Sequence, residues 1–364
     1  MADTIKCPRC AANVYFDAAS QMVTCGFCGK EFTPAEILHE VDDDKIFENV
    51  EQEETEAPSE PKFKRNAVEW EKKQFVCNSC GATMVTDANT STTYCVFCGS
   101  PAIIGERFVG KFEPEFMIPF KIDRTKATSL FFKWCNGGLM TPLNFVSPKN
   151  VARMKGLYVP FWIFGVKGDI DIRGTGKTVD TRSGAYEDTR TVYLYDVTRR
   201  MSVSWKGMPF DGVSRIDNDL MDAILPYNYD EMVEFSPIYL PGFFSEKYDV
   251  ESDKLEKRAL NQARKYATQI FLDTTKEYDE SSISNDLSEF KTDDCFYALL
   301  PVWFLSYKYL GKTYEFAING QTGEVAGEMP QSVVKKVLIS SGVMAAVAIA
   351  VKIVVSLILG GFFG

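Results

Sequence analysis

Cysteine spacing constrains what this chain can fold into more than any other feature. Eight of its ten cysteines form four C-x-x-C pairs, and the pattern C-x2-C-x14-C-x2-C occurs twice, with every cysteine of the second copy at the same offset from its counterpart in the first. Two copies at a fixed offset form an internal repeat. The eight cysteines are Cys7, Cys10, Cys25, Cys28, Cys77, Cys80, Cys95 and Cys98.

This spacing predicts two structural zinc sites of four cysteines each. Zn2+ takes four soft thiolate ligands in a tetrahedron, and a C-x-x-C turn brings two sulfurs to one ion. Gly29 and Gly99 follow the last cysteine of each copy, where glycine lets the backbone turn its N–H groups toward the sulfurs. The alternative is a set of disulfides or redox pairs, but disulfides require an oxidising compartment and the N-terminal residues do not resemble a signal peptide. We therefore expect two zinc ribbons holding two structural Zn2+ ions.

Composition changes along the chain predict five segments. From Asp42 to Glu60, nine acidic residues accompany one lysine, so that stretch has too little apolar surface to fold and is interpreted as a solvated linker. The expected segments are zinc ribbon 1 at 1–36, an acidic linker at 37–69, zinc ribbon 2 at 70–108, an α+β domain at 109–330 and a transmembrane anchor at 333–363.

Residues 109–330 are expected to form an α+β domain rich in antiparallel sheet. Strands and helices mix there without the regular alternation of a doubly wound fold. The pattern of apolar residues predicts strands at Leu157–Val166 and Thr191–Lys206, helices from Asp123 to about Trp134 and from about Ser252 to Asp273, and a hairpin over Lys312–Glu328.

The C-terminal segment is interpreted as a membrane anchor. Of the 27 residues from Val337 to Phe363, 20 are Ala, Val, Ile, Leu, Met or Phe, and a helix of that length would cross a hydrocarbon core of about 30 Å. Lys335 and Lys336 precede the run, and basic flanks stay cytoplasmic. The expected location is therefore the cytoplasmic membrane, as a single-pass protein with its N-terminal domains in the cytoplasm. A buried helix of a soluble protein is the alternative.

Two features of that segment suggest finer roles. Lys352 interrupts the apolar run and would either extend its ammonium to the headgroups or pair with an acidic group of another helix. Gly342, Ala346 and Ala350 recur every four residues, a spacing of small residues that allows close helix packing and hence a homo-oligomer.

Motifs of common enzymes are absent from the sequence. Gly174–Thr178 (GTGKT) resembles the end of a phosphate loop, but Asp171 stands where the motif requires glycine, so we interpret the segment as strand–turn–strand. His39 is the only histidine. The two remaining cysteines, Cys135 and Cys295, lie in apolar sequence and are interpreted as buried thiols rather than nucleophiles. The chain is expected to have no catalytic residues and no enzymatic activity.

Charge argues against binding of nucleic acid. The formal net charge is −10, and three basic and three acidic residues lie in each of the stretches Met1–Ala35 and Trp70–Gly110. Phosphate binding normally needs a cluster of lysine and arginine. Protein binding is therefore favoured for the ribbons, and nucleic acid is an unlikely partner by this argument.

Several segments carry a resemblance to a bacterial family. They are the CPxC and CxFCG ribbons, YVPFWIF, PYNYDEMVEFSPIYLPGFFSEKYD, LLPVWFLSYKYLGKTYEFAINGQTGEVAGEMP and the terminal apolar segment. From about Cys77 to the C-terminus the chain resembles the YdjG-like zinc-ribbon membrane proteins, some of which are labelled as resembling transcription factor IIB ribbons or a primosomal helicase. The resemblance implies an anchoring role, because such proteins are encoded beside a TPM-domain membrane protein and an SPFH-domain (flotillin-like) protein, near membrane-stress genes. By this resemblance the chain would recruit the SPFH-domain protein to the membrane.

These observations lead to three functional hypotheses. The first is a non-enzymatic, membrane-anchored zinc-ribbon adaptor that recruits protein partners, such as SPFH-domain or membrane-stress proteins, to the cytoplasmic membrane. The second is a membrane-tethered nucleic-acid-binding protein of replication or transcription that acts through its ribbons. The third is an enzyme with a carboxylate-based site in the α+β domain. The adaptor is preferred because it uses the anchor, the neutral ribbons and the missing motifs together.

Overall fold

The structure is a computed structural model that describes most of the chain. The backbone is described for residues 2–3, 5–40, 72–76, 83–87, 90–94, 101–104, 113–138, 141–142, 145, 151, 154–184 and 187–360. Side chains are described within 5–37 and 113–352, apart from the gaps just given and 333–334 and 338–339. Most of the predicted acidic linker lies outside the described residues.

Seventeen strands dominate the part of the chain that the structure describes. They are β1 (Ala2–Asp3), β2 (Val14–Asp17), β3 (Met22–Cys25), β4 (Glu31–Phe32), β5 (Lys72–Val76), β6 (Thr83–Asp87), β7 (Thr90–Tyr94), β8 (Pro101–Ile104), β9 (Phe116–Met117), β10 (Lys155–Ser183), β11 (Asp188–Asp211), β12 (Val233–Glu234), β13 (Phe244–Glu246), β14 (Glu280–Asp286), β15 (Glu289–Tyr309), β16 (Lys312–Asn319) and β17 (Val325–Gly327).

Five α-helices accompany the strands in the described part of the chain. They are α1 (Pro34–Glu40), α2 (Arg124–Gly137), α3 (Asn218–Ala223), α4 (Ser252–Thr274) and α5 (Val333–Gly360), with short 3-10 turns at Tyr229–Glu231 and Pro237–Tyr239. Asp123 caps α2 by accepting a hydrogen bond at Oδ1 from the N–H of Lys126 at 2.7 Å, as expected of an aspartate at an N-cap. The predicted positions of α2, α4 and the β16–β17 hairpin are confirmed.

Three long strands form the spine of the molecule. β10 has 29 residues, β11 has 24 and β15 has 21. β10 lies between the other two at its N-terminal end, antiparallel to both, and its C-terminal half pairs with β14 on the side away from β11. The predicted turn at Gly174–Thr178 is wrong, because these residues continue β10 and the chain reverses only between Gly184 and Glu187.

The apolar run at the start of β10 is explained by burial on both faces of the sheet. Tyr158 packs in one cluster with Phe120 of the preceding loop and Phe131 of α2. Val159 packs on the opposite face with Met221 of α3. A strand covered on both sides carries few polar residues, so the alternation that marks a half-exposed strand is missing here.

Helix α4 covers the more polar end of the long strands. Its buried stripe is Leu255, Ala259, Ala263, Ala267 and Phe271. These side chains pack on β10, β11 and β15 through two small clusters that include Phe164 and Ile172. The helix therefore covers apolar side chains on one face of β11, among them Val197, Met201 and Val203.

The predicted α+β class is wrong, since the chain is sheet-rich and its helices are few. Eight strands follow the order β1-β8-β7-β13-β10-β15-β16-β17 in a curled sheet of twelve strands, to which β9, β11, β12 and β14 add. Segments that the sequence suggests as separate short strands fuse into β10, β11 and β15 because each finds pairing partners along its whole length. Strand pairing, rather than local propensity, decides how far a strand extends.

The predicted transmembrane anchor at 333–363 is also wrong. The segment does form helix α5, but no helix in the described residues is both long and apolar enough to cross a membrane. Three lysines, Lys335, Lys336 and Lys352, lie within α5, as do Ser340, Ser341 and Gly342. A charged side chain is costly in a hydrocarbon core. The single-pass position in the cytoplasmic membrane depended on this helix and is wrong for the same reason.

Candidate metal centre

Two knuckles of ribbon 1 bring its four cysteines together. In the first, the N–H of Cys7 donates to the carbonyl of Ala12 at 2.7 Å, and Ala11 adopts a positive φ of 55°. In the second, the N–H of Cys25 donates to the carbonyl of Lys30 at 2.9 Å, and Gly29 has a φ of 66°. Each knuckle thus needs one residue in the left-handed conformation. Glycine adopts this conformation without strain, whereas alanine adopts it at a cost in free energy.

A small sheet fixes the two knuckles relative to each other. β2 pairs antiparallel with β3, and β3 pairs with β4. Val14 lies opposite Cys25 in that register, and the N–H of Gly26 donates to the carbonyl of Asn13 at 3.3 Å. The second knuckle is therefore tied to the strand that leaves the first.

The sulfur atoms have the separations that a tetrahedral metal site requires. Cys7 Sγ and Cys28 Sγ are 3.9 Å apart, Cys10 Sγ and Cys25 Sγ are 3.5 Å apart, and all four sulfurs lie within 4.8 Å of one another. Zinc–sulfur bonds of about 2.3 Å imply sulfur–sulfur distances of roughly 3.8 Å. A disulfide needs about 2.05 Å, so these four thiols are free. The four cysteines can hold a metal ion, and the disulfide alternative is excluded for this copy.

Electrostatics of the cluster favours a cation at its centre. Burial opposes ionisation of Cys25, but the backbone N–H groups of Cys28 and Phe27 and the neighbouring thiols outweigh it and lower the pKa of Cys25 to about 6. The N–H of Ala12 favours the thiolate of Cys10, yet burial and the three other thiols raise the pKa of Cys10 to about 12. Ionisation of one thiol therefore opposes ionisation of the next. A divalent ion bound among the sulfurs would stabilise several thiolates at once.

Ribbon 1 packs on the body of the protein. The body is the part of residues 109–330 that the structure describes. Phe16 is buried and makes an edge-to-face contact with Tyr239 at 5.2 Å between ring centroids. The N–H of Phe16 donates to the carbonyl of Pro241 at 2.8 Å, and the side-chain amide of Gln21 donates to the carbonyl of Phe120 at 2.7 Å. Apolar packing and hydrogen bonds both hold the metal cluster in a fixed position on the sheet domain.

The outer side of ribbon 1 exposes aromatic residues. Phe27 lies between Cys25 and Cys28, and 83% of its surface is accessible. Tyr15 of β2 is exposed as well and lies beside the same knuckle, with its ring 3.9 Å from the position that a Cβ on Gly26 would take. Exposed aromatic side chains are typical of protein-binding surfaces. The sequence shows Phe27 but does not reveal that it faces solvent.

The second cysteine set, Cys77, Cys80, Cys95 and Cys98, lies outside the described residues. The strands around it are described: β5 pairs with β6, and β7 pairs with β8. β7 and β8 are part of the twelve-stranded sheet, whereas β2, β3 and β4 form a sheet of their own. The two copies of the cysteine pattern are thus built into the molecule differently, and the second metal site remains a prediction.

The two cysteines outside the repeat differ from each other. Cys135 is buried in the core beside α2, as expected, and burial raises its pKa to about 12. Cys295 is exposed, so the prediction that it is buried is wrong. Its pKa is also raised to about 12, by partial burial and then by the carboxylates of Asp294, Glu115 and Asp253. Neither thiol is activated as a nucleophile.

An ion-pair network in the body is not visible in the sequence. Asp211, at the end of β11, accepts a hydrogen bond at Oδ1 from Arg258 Nη1 of α4 at 3.1 Å, and Arg258 Nη2 contacts Asp222 Oδ1 at 2.8 Å. Burial raises the pKa of Asp211 despite the neighbouring Arg258. No local pattern links residues 47 positions apart, so only the fold brings them together.

Comparison with known proteins gives one full-length relative. The chain is 32% identical over 359 residues to the "Uncharacterized protein YdjG" of Bacillus subtilis strain 168, and the match covers 98% of each protein. No family model matches the chain, and no solved structure matches it significantly.

Proposed function

The chain belongs to the YdjG family, and we propose that it is a non-enzymatic zinc-ribbon adaptor that binds protein partners. Each ribbon holds one structural Zn2+ ion through four cysteines, giving two ions per chain. Ribbon 1 presents a protein-binding surface whose position relative to the sheet domain is fixed.

Zinc is the proposed metal because of the ligands. Four thiolates are soft donors that select Zn2+ or iron over Mg2+ and Ca2+, and the C-x2-C-x14-C-x2-C pattern has the spacing of structural zinc sites. Closed sites of four cysteines leave no open position for substrate. The ion would therefore shape the ribbon and take no part in a reaction.

The exposure of Phe27 is the observation that carries the adaptor proposal. The N–H of Cys28 donates to Cys25 Sγ at 3.5 Å, so the backbone that carries the exposed ring of Phe27 is held in place. An apolar anchor on a preorganised backbone costs less entropy to bind than one on a flexible loop. The exposed cations of ribbon 1 (Lys6, Arg9 and Lys30) are balanced by Asp17, Glu31 and Glu36, so the ribbon lacks the excess of positive charge that phosphate binding normally needs.

We propose that the chain has no catalytic activity because its reactive side chains are held in unreactive protonation states. The thiols of Cys135 and Cys295 have raised pKa values and are poor nucleophiles. Tyr227 is buried, its pKa is raised by that burial, and its hydroxyl donates to the carbonyl of Pro301 at 3.0 Å. Such a phenol stays protonated and serves packing rather than proton transfer.

An SPFH-domain protein is the first partner to test, followed by a TPM-domain membrane protein. The resemblance of the sequence motifs implies both partners. The exposed rings of Phe27 and Tyr15 suggest where such a protein would bind. A partner that fits Phe27 and Tyr15 would present an apolar depression with a polar rim.

The test is direct binding between the full-length chain and a purified SPFH-domain protein. Phe27→Asp should weaken binding by about tenfold or more, because a charge would replace the apolar anchor. The matched control is Leu310→Asp, since Leu310 is 90% exposed at the tip of the β15–β16 hairpin and is not part of ribbon 1. Equal binding by wild type and Phe27→Asp would contradict the proposed surface. Strongly salt-dependent binding of DNA or RNA would favour the nucleic-acid hypothesis instead.

A further inference from the structure

β11 leaves one of its two edges open. Within the described residues it pairs with β10 alone, from Asp188 opposite Ser183 to Asp211 opposite Phe161. A long strand with an open edge presents a row of N–H and C=O groups that can pair with another strand.

Hydrogen bonds to β10 show which residues of β11 face outward. The N–H of Gly184 donates to the carbonyl of Glu187 at 3.0 Å, so even-numbered residues at this end of β10 face β11. The N–H of Val179 donates instead to Asp279 Oδ2 at 2.6 Å, on the side away from β11. Val192, opposite Val179, must therefore turn its own N–H and C=O to the open edge.

The same alternation assigns the neighbours of Val192. Arg190, Leu194 and Asp196 share its parity, so their backbone groups face the open edge as well and their side chains lie on one face of the sheet. Tyr193 and Tyr195 lie on the other face, where Tyr195 contacts Tyr278 at 5.4 Å between ring centroids. The open edge here is an unbroken series of hydrogen-bonding groups.

The side chains on this edge are apolar in the middle and charged at the ends. Leu194 is 73% exposed, and Val192 and Tyr193 are each nearly half exposed. Arg190 and Asp196 flank them, are exposed, and form no ion pair within the described residues. An isolated exposed edge of this kind would favour aggregation unless it pairs in a defined register.

A second copy of the chain fits this edge in one register. Two antiparallel strands related by a two-fold axis normal to the sheet must have one residue facing itself on the axis, because opposite residues point to the same face. With Tyr193 on the axis, Val192 lies opposite Leu194 of the other copy, and Arg190 lies opposite Asp196. Each of these contacts occurs twice, so the edge is complementary to itself.

Neighbouring registers lack this complementarity. With Val192 on the axis, Asp188 would face Asp196 of the other copy, and with Leu194 on the axis, Val192 would face Asp196. With Tyr195 on the axis, Arg190 would face Arg200. Like charges directly opposite each other destabilise a strand pair, whereas opposite charges and apolar pairs stabilise it.

We propose that the chain forms a two-fold symmetric dimer in which the Arg190–Asp196 segments of β11 from two copies pair antiparallel, with Tyr193 on the axis. The pairing joins two sheets into one continuous sheet. It uses neither the cysteine clusters nor helix α5, so it stands independently of the adaptor proposal.

Charge reversal in the full-length protein tests the register. Arg190→Glu places two carboxylates opposite each other at both ends of the pairing, and Asp196→Lys places two cations there. Each single variant should weaken the dimer by about tenfold or more, and the double variant Arg190→Glu/Asp196→Lys should restore it. Lys206→Glu is the control, because Lys206 is exposed on the same strand but outside the paired segment. Sedimentation of all four variants would overturn the proposal if the single reversals dimerise like wild type or the double variant does not recover.

A cysteine on the axis gives a second, independent readout. Tyr193 and its copy form a non-hydrogen-bonded pair, with Cα atoms about 4.5 Å apart, within the range of a disulfide. Under mild oxidation Tyr193→Cys should give a covalent dimer on a non-reducing gel, whereas Thr191→Cys, which faces Tyr195, and the parent chain should not. If Tyr193→Cys crosslinks no more than those two controls, the proposed register is wrong.

Discussion

At the scale of the residue, Asp211 is a carboxylate whose burial costs free energy in the folded protein. Its side chain is almost fully buried, and its Oδ2 accepts no hydrogen bond within the described residues. Arg258 stabilises the ionised form, yet burial still raises the pKa of Asp211. The carboxylate is therefore held at a cost that the surrounding packing must offset.

That cost predicts how stability depends on pH. Because the pKa of Asp211 is higher in the folded protein than in the unfolded chain, the folded state binds more protons just above the unfolded value of about 3.9. The contribution of Asp211 to the free energy of unfolding is fully present below the pKa of the unfolded chain. It is lost as the pH rises through the pKa that Asp211 has in the folded protein. Asp211→Asn keeps the acceptor for Arg258 without the charge, so its stability relative to wild type should increase from about pH 4 upward and then level off.

Urea unfolding of both proteins at a series of pH values measures this difference. Arg258→Met is the contrasting variant: it leaves Asp211 without its cation and should destabilise the fold by about 3 kcal/mol at neutral pH. A stability difference between Asp211→Asn and wild type that does not change with pH would contradict the assigned role of burial.

At the scale of the element, the GTGKT sequence is explained by strand packing. A Cβ on Gly174 would lie 2.2 Å from the carbonyl oxygen of Ser282 and 2.7 Å from Phe271 Cζ, and one on Gly176 would meet the ring of Tyr278 at 2.6 Å. β14 and α4 approach β10 so closely there that only glycine fits. The motif resembles a phosphate loop because both need glycine where the backbone is closely approached.

Gly174→Ala should therefore destabilise the protein by about 2 kcal/mol, since the contact atoms include backbone that cannot turn aside. Gly137→Ala is the matched control, because nothing lies within 4 Å of the added methyl group, and its effect should stay within about 0.5 kcal/mol. Thermal unfolding of the two variants compares them. Similar stability of both would show that β14 and α4 are not held as closely as described.

At the scale of the whole molecule, local features could be predicted from the sequence and long-range ones could not. Helix α4 and the cap of α2 follow from spacing and capping within one segment, and so does the approach of Cys7 and Cys10 to each other. The fusion of β10 over 29 residues depends on three partner strands far along the chain. The seating of Phe16 on Tyr239 likewise depends on a contact between distant parts of the chain. The anchor prediction depended on a count of apolar residues, whereas Lys335, Lys336 and Lys352 all lie within helix α5.

The metal content of the intact chain tests the central claim most directly. Native mass spectrometry of the full-length protein should show two Zn2+ ions, and Cys25→Ser should lose one of them, because three thiolates do not hold a structural ion as four do. Cys135→Ser, which changes a buried cysteine outside the cluster, should keep the wild-type count. If Cys25→Ser binds as many zinc ions as wild type, or wild type binds none, then Cys7, Cys10, Cys25 and Cys28 are not a zinc site.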